Sequence, residues 1–124
     1  MPTPLTEEQA AALRDQFKRC DTQTVDAILK FRGTGDIALL PVIVRGVVRR
    51  YLPADKAGLL DAATEETNLA DLHIESLTML EIVLDIQDAV EVVIEDTELR
   101  EIKTLADVRR FLEAKLAAKQ QQQQ

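Results

Sequence analysis

Apolar residues in this chain recur at three- and four-residue spacings, which divides most of its length into amphipathic helices. Ala10, Leu13 and Phe17 share one face of a first helix ending near Cys20. Thr6 followed by Gln9 has the form of a capping box, and Glu7 and Glu8 suit a positive helix end. A second helix, capped by Asp21 or Thr22, turns Val25, Ile28 and Leu29 inward and stops at Gly33 and Gly35. A third apolar segment, 37–52, holds Leu40, Ile43, Val44, Val47, Val48 and Tyr51, and Pro53 ends it. Pro41 restricts where it begins, because proline is comfortable only in a first turn. Residues 54–75 read as a long connection with a short helical turn around 57–62. A further helix starts at Ser76 and reaches about Val93, and 95–103 has room for one helical turn. Thr104, with Asp107 three residues on, caps a last helix carrying Leu105, Val108, Phe111, Leu112 and Leu116. The glutamines at 120–124 read as a disordered, low-complexity tail.

The 76–93 segment carries two apolar faces. On a wheel of about 100° per residue, Met79, Ile82, Ile86, Val90 and Val93 form one stripe, expected to face the core. Leu77, Leu80 and Leu84 fall on roughly the opposite side, together with Glu81, Asp88 and Glu91, and Asp85 flanks that side. Periodicity leaves two readings open. Either these leucines meet another helix of the same chain, or they form a docking surface on which carboxylates steer a basic partner.

Composition narrows the class. With 3% aromatic residues and no Trp, the core is built from Leu, Ile, Val and Ala, which favours helices over a sandwich. Net charge is −7 and lopsided: residues 1–53 sum to +2 and residues 54–124 to −9. Thirteen acidic residues lie from Asp61 to Glu101, where Arg100 is the sole Lys or Arg. That field repels nucleic-acid phosphates and attracts basic protein surfaces. The single Cys20 can form no internal disulfide, and no apolar run approaches membrane-spanning length. A cytoplasmic protein without a membrane span is expected.

Ser76 stands at the expected N-cap of the leucine-bearing helix. On position alone a capping serine is the plain reading, worth about 1 kcal/mol. Its surroundings add more. Leu72-His73-Ile74-Glu75-Ser76-Leu77 resembles the Leu-Gly-x-Asp-Ser-Leu signature of acyl carrier proteins. The likeness continues through Glu81-Ile82-Val83 and the acidic helix. Val93-Ile94-Glu95-Asp96 then stands where the family usually has an Ile-Pro-Asp turn. Ile102-Lys103-Thr104-Leu105-Ala106-Asp107-Val108 is similar to the segment that opens its last helix.

The resemblance covers roughly 37–117 and implies an all-α fold. That fold is a four-helix acyl-carrier-like bundle, here with one or two additional N-terminal helices. The implied organisation is an N-terminal helical extension over 1–35, a carrier domain over 36–118 and a disordered tail over 119–124. The implied chemistry is a covalent 4′-phosphopantetheine arm, delivered to Ser76 by a phosphopantetheinyl transferase, with Glu75 as its acidic neighbour. Acyl groups would ride on that arm as thioesters in fatty acid, polyketide or related lipid biosynthesis. Leu77, Leu80, Glu81, Leu84, Asp85 and Asp88 would form the surface offered to acyl-processing enzymes with basic docking faces.

Three positions depart from the family pattern: His73 replaces Gly, Glu75 replaces Asp, and Glu95 replaces Pro. Together with the N-terminal extension they support an alternative, a helical interaction or scaffold domain that keeps the carrier fold without the arm. Catalysis lacks a constellation. His73 lies three residues before Ser76, but Ile74 and Thr78 occupy the glycine positions of a nucleophile elbow. No second His and no Gly-rich loop supply a triad or an oxyanion hole. No metal site is expected, since Cys20 has no partner cysteine and the acidic run lacks EF-hand spacing.

Overall fold

The computed structural model describes residues 5–62, 64, 66–72 and 74–122, and among these the chain is all-α. Its helices are α1 (Glu7–Gln16), α2 (Thr22–Thr34), α3 (Leu40–Tyr51), α4 (Ala57–Ala62), α5 (Ser76–Val90), α6 (Asp96–Leu99) and α7 (Leu105–Gln122). Short 3₁₀ turns at Ile37–Leu39, Ala54–Lys56 and Leu69–Leu72 join them.

Helix starts follow local chemistry. The Thr6 hydroxyl accepts from Gln9 N at 3.1 Å, and Thr6 N donates back to Gln9 Oε1 at 3.0 Å. Asp21 Oδ1 caps α2 by accepting from Thr24 N at 2.8 Å. At α7, Asp107 N donates to Thr104 Oγ1 while Thr104 N donates to Asp107 Oδ2. These caps satisfy donors that a helix cannot pair internally. Gly35, at φ 72°, closes α2 in the left-handed conformation that glycine adopts without steric cost. Pro41 falls in the first turn of α3.

Helix ends depart from expectation in three places. α1 stops at Gln16 rather than near Cys20, because Phe17 leaves helical geometry and Cys20 N bonds back to Phe17 O in a turn. α5 stops at Val90, since Glu91 takes φ 55° and its N–H returns to Gln87 O. Val93 therefore lies beyond the helix and is 67% exposed instead of extending the core stripe. α7 continues to Gln122, into the stretch expected to be disordered, and glutamine is a good helix former.

α3 is the centre of the molecule and packs against α2, α5 and α7. Leu40, Ile43, Val44, Val47 and Val48 are essentially inaccessible. They meet Ile82, Ile86 and Val90 of α5 and Leu105, Val108 and Leu112 of α7 in one apolar cluster. Leu13, Phe17, Ile28 and Phe31 belong to the same cluster, so the first two helices contribute to the common core. Each fully buried aliphatic or aromatic side chain contributes about 1.5–3 kcal/mol relative to exposure. No helix among the described residues is long and apolar enough to cross a membrane.

Candidate functional site

The connection before α5 is anchored at both of its ends. Leu60 of α4 and Leu69 and Leu72 of the third 3₁₀ turn are buried, and Leu69 N bonds to Lys103 O at 2.7 Å. Arg45 Nη1 donates to Leu60 O at 3.1 Å, and Arg49 pairs with both Asp61 and Asp21. These ties fix the point from which the chain emerges into α5. His73 lies outside the described residues.

Ser76 is the first residue of α5, and Glu75 is its N-cap, at φ −73° and ψ 158°. This corrects the expectation that Ser76 itself caps the helix, shifting the cap by one position. Met79 N closes the first intrahelical bond to Glu75 O at 2.8 Å. Glu75 is exposed and makes no side-chain cap bond. The first-turn N–H groups are thus not taken up by their own cap residue, and such donors at a helix start favour an anion. The local backbone is compatible with a phosphodiester on the residue at that position.

Behind that mouth the two faces of α5 separate as the wheel predicts. Ile82, Ile86 and Val90 are buried and Met79 is partly so. Leu77, Leu80 and Leu84 are 67%, 41% and 49% exposed, so among the described residues no other helix seals them from solvent. Glu81 is exposed beside them. Among the described residues it forms no ion pair.

The other two acids named for this surface have partners within the chain. Asp85 Oδ2 accepts from Arg50 Nη1 at 2.6 Å and from the Tyr51 hydroxyl at 2.7 Å. Arg50 and Asp85 side chains are only 18% and 19% accessible, so this is an interior lock between α3 and α5. The Arg50 guanidinium also lies 4.9 Å from the Tyr51 ring centroid. Burial, then the hydrogen bond to Asp85, pushes the Tyr51 phenol up to about 12. Burial likewise raises the Cys20 thiol nearby. Asp88 Oδ2 accepts from Gln16 Nε2 at 3.0 Å, and its carbonyl accepts from Arg32 Nη1 at 3.0 Å. Arg32 also pairs with Glu91. Sequence reasoning missed Gln16, Arg32, Arg50 and Tyr51, because each lies at least 34 positions from its partner on α5 and no local pattern links them.

Among the described residues no cluster of three His, Cys, Asp or Glu side chains is arranged to hold a metal ion. What the geometry defines is a helical bundle that presents a helix mouth beside an exposed, leucine-rich and acidic face. A family model for the phosphopantetheine attachment site matches residues 44–112, more than half of the chain and inclusive of α5 and its mouth. The chain belongs to that family, whose domains are carriers, typically non-catalytic, and the attachment site of covalent 4′-phosphopantetheine. No match was found among curated proteins or among solved structures.

Proposed function

We propose that Ser76 is the residue that carries the arm, and that the protein holds acyl intermediates on it as thioesters. The observation that carries this reading is the position of Ser76, at the start of α5 and inside the family match, beside leucines left exposed. A phosphopantetheinyl transferase joins the phosphate of the arm to the serine oxygen, releasing 3′,5′-ADP from coenzyme A. The arm's thiol then displaces the leaving group of an activated acyl donor supplied by a partner enzyme, losing its proton as the thioester forms. The phosphodiester sits at the positive end of α5, where backbone donors favour negative charge. Glu75, exposed beside it, supplies the acidic neighbour that the family pattern has at this position.

Leu77, Leu80, Glu81 and Leu84 form the docking face for the transferase and for acyl-processing enzymes. Desolvating the leucines supplies affinity, and Glu81 steers a basic partner. Asp85 contributes through the fold, since Arg50 and Tyr51 hold its carboxylate. The pathway served is fatty acid, polyketide or related lipid biosynthesis in the cytoplasm. Intact-mass measurement of the protein purified from its own organism tests both levels at once. An arm with a fatty or polyketide chain on its thiol is expected, and protein lacking the arm under conditions of active synthesis would contradict the reading.

A further inference from the structure

The N-terminal helices meet α5 over only part of its length. Gln16, the last residue of α1, reaches the carboxylate of Asp88. Arg32, in the last turn of α2, holds the carbonyl of Asp88 and the carboxylate of Glu91, with its own side chain only 18% accessible. The contact with Glu91 falls where that residue adopts a left-handed backbone, an uncommon conformation for a side chain of this kind. Asp88 and Glu91 keep solvent access, but Glu91 is paired with Arg32, and the Asp88 carboxylate is hydrogen-bonded by the Gln16 amide while Arg32 stands at its carbonyl. One turn or more earlier, Leu77, Leu80, Glu81 and Leu84 have no such cover among the described residues.

We propose that α1 and α2 act as a specificity element, in which Gln16 and Arg32 confine the readable part of α5 to its first half. The partner that fits is an enzyme surface with an apolar shelf for the three leucines and a basic contact over Glu81. Enzymes that need a second basic contact at Asp88 or Glu91 meet Arg32 there and are disfavoured by like charge. Gln16 and Arg32 are positioning residues for this selection. The inference rests on the docking face assigned above.

The test is the initial rate of arm addition, with a phosphopantetheinyl transferase and coenzyme A as probes, followed by intact mass at low ionic strength. Glu81→Gln and Asp88→Asn are compared, since each removes one charge and keeps hydrogen-bonding capacity. Expected are a fall in kcat/KM of about fivefold for Glu81→Gln and less than about twofold for Asp88→Asn. In an Arg32→Gln background the Asp88→Asn penalty should grow, because a basic contact approaching Asp88 then no longer meets the Arg32 charge at its carbonyl. Equal losses for both variants in the wild-type background would overturn the inference while leaving the carrier reading in place. Wild-type protein that takes no arm from a competent panel of transferases would instead overturn the carrier reading and the inference with it. If Arg32→Gln fails to fold, the pair of variants in the wild-type background decides alone.

Discussion

A β-carbon on Gly46 would fall within the side chain of Thr24, so α2 crosses α3 at a separation that only glycine permits. Thr24 is 2% exposed and its N–H is held by Asp21, which leaves it no room to withdraw. Gly46→Ala sets two effects against each other. Helix propensity favours alanine by about 1 kcal/mol, whereas overfilling a tight crossing costs about 1–3 kcal/mol. The crossing should win, with a lower thermal midpoint. Gly33→Ala is the control, because nothing lies within 4 Å of its added carbon, and it should be neutral or mildly stabilising. A stabilised Gly46→Ala would mean that α1 and α2 sit more loosely on the bundle than described.

The Tyr51–Asp85 hydrogen bond predicts an alkaline limit to stability. The Tyr51 phenol titrates at about 12 in the folded chain against an ordinary value of 10. Between those values the unfolded chain releases a proton that the folded chain retains, so the stabilisation, complete below pH 10, declines as pH rises towards 12. Melting curves across that interval should show the decline for wild type and a shallower one for Tyr51→Phe. Identical slopes would place the phenol outside the lock.

Acid lability should arise in part from the caps. Backbone donation from Lys103 leads the effects that hold Asp107 below its ordinary value of 3.8, and hydrogen bonds from Thr24 do the same for Asp21. A lowered carboxylate contributes stability above its unfolded value and loses it as pH falls through the folded one. Asp107→Ala should cost about 1 kcal/mol at neutral pH and flatten the acid limb of the stability profile below pH 4. Chemical denaturation at pH 7 and at pH 3 distinguishes this from a uniform loss.

The exposed leucines separate docking from folding. Leu80→Gln and Leu84→Gln should leave the melting temperature nearly unchanged, as surface changes usually fall within about 0.5 kcal/mol. Both should slow arm addition by reducing the apolar contact offered to the transferase. A drop of many degrees in melting temperature would show instead that these side chains hold the bundle together.

The starts of α1 and α7 were legible because capping is local: Thr6 with Gln9, and Thr104 with Asp107, lie three residues apart and formed as read. The opposed faces of α5 were legible for the same reason, as one period fixes them. Which face stays open was not. That depends on where α1 and α2 settle, and their anchors, Phe17 and Phe31, are set by contacts distant in sequence. The end of α5 was missed because a glutamate rather than a glycine takes the left-handed turn, with Arg32 paired to it from another helix. Asp85 looked like its acidic neighbours on the wheel, and only the return of α3 alongside α5 reveals its pairing with Arg50.

Co-expression of wild type and Ser76→Ala with a panel of phosphopantetheinyl transferases, read by intact mass and peptide mapping, tests the central claim most directly. One phosphopantetheine per wild-type chain, on the peptide containing Ser76, and none on the variant is the predicted result. An arm on another residue, or none on wild type with every transferase, would contradict it.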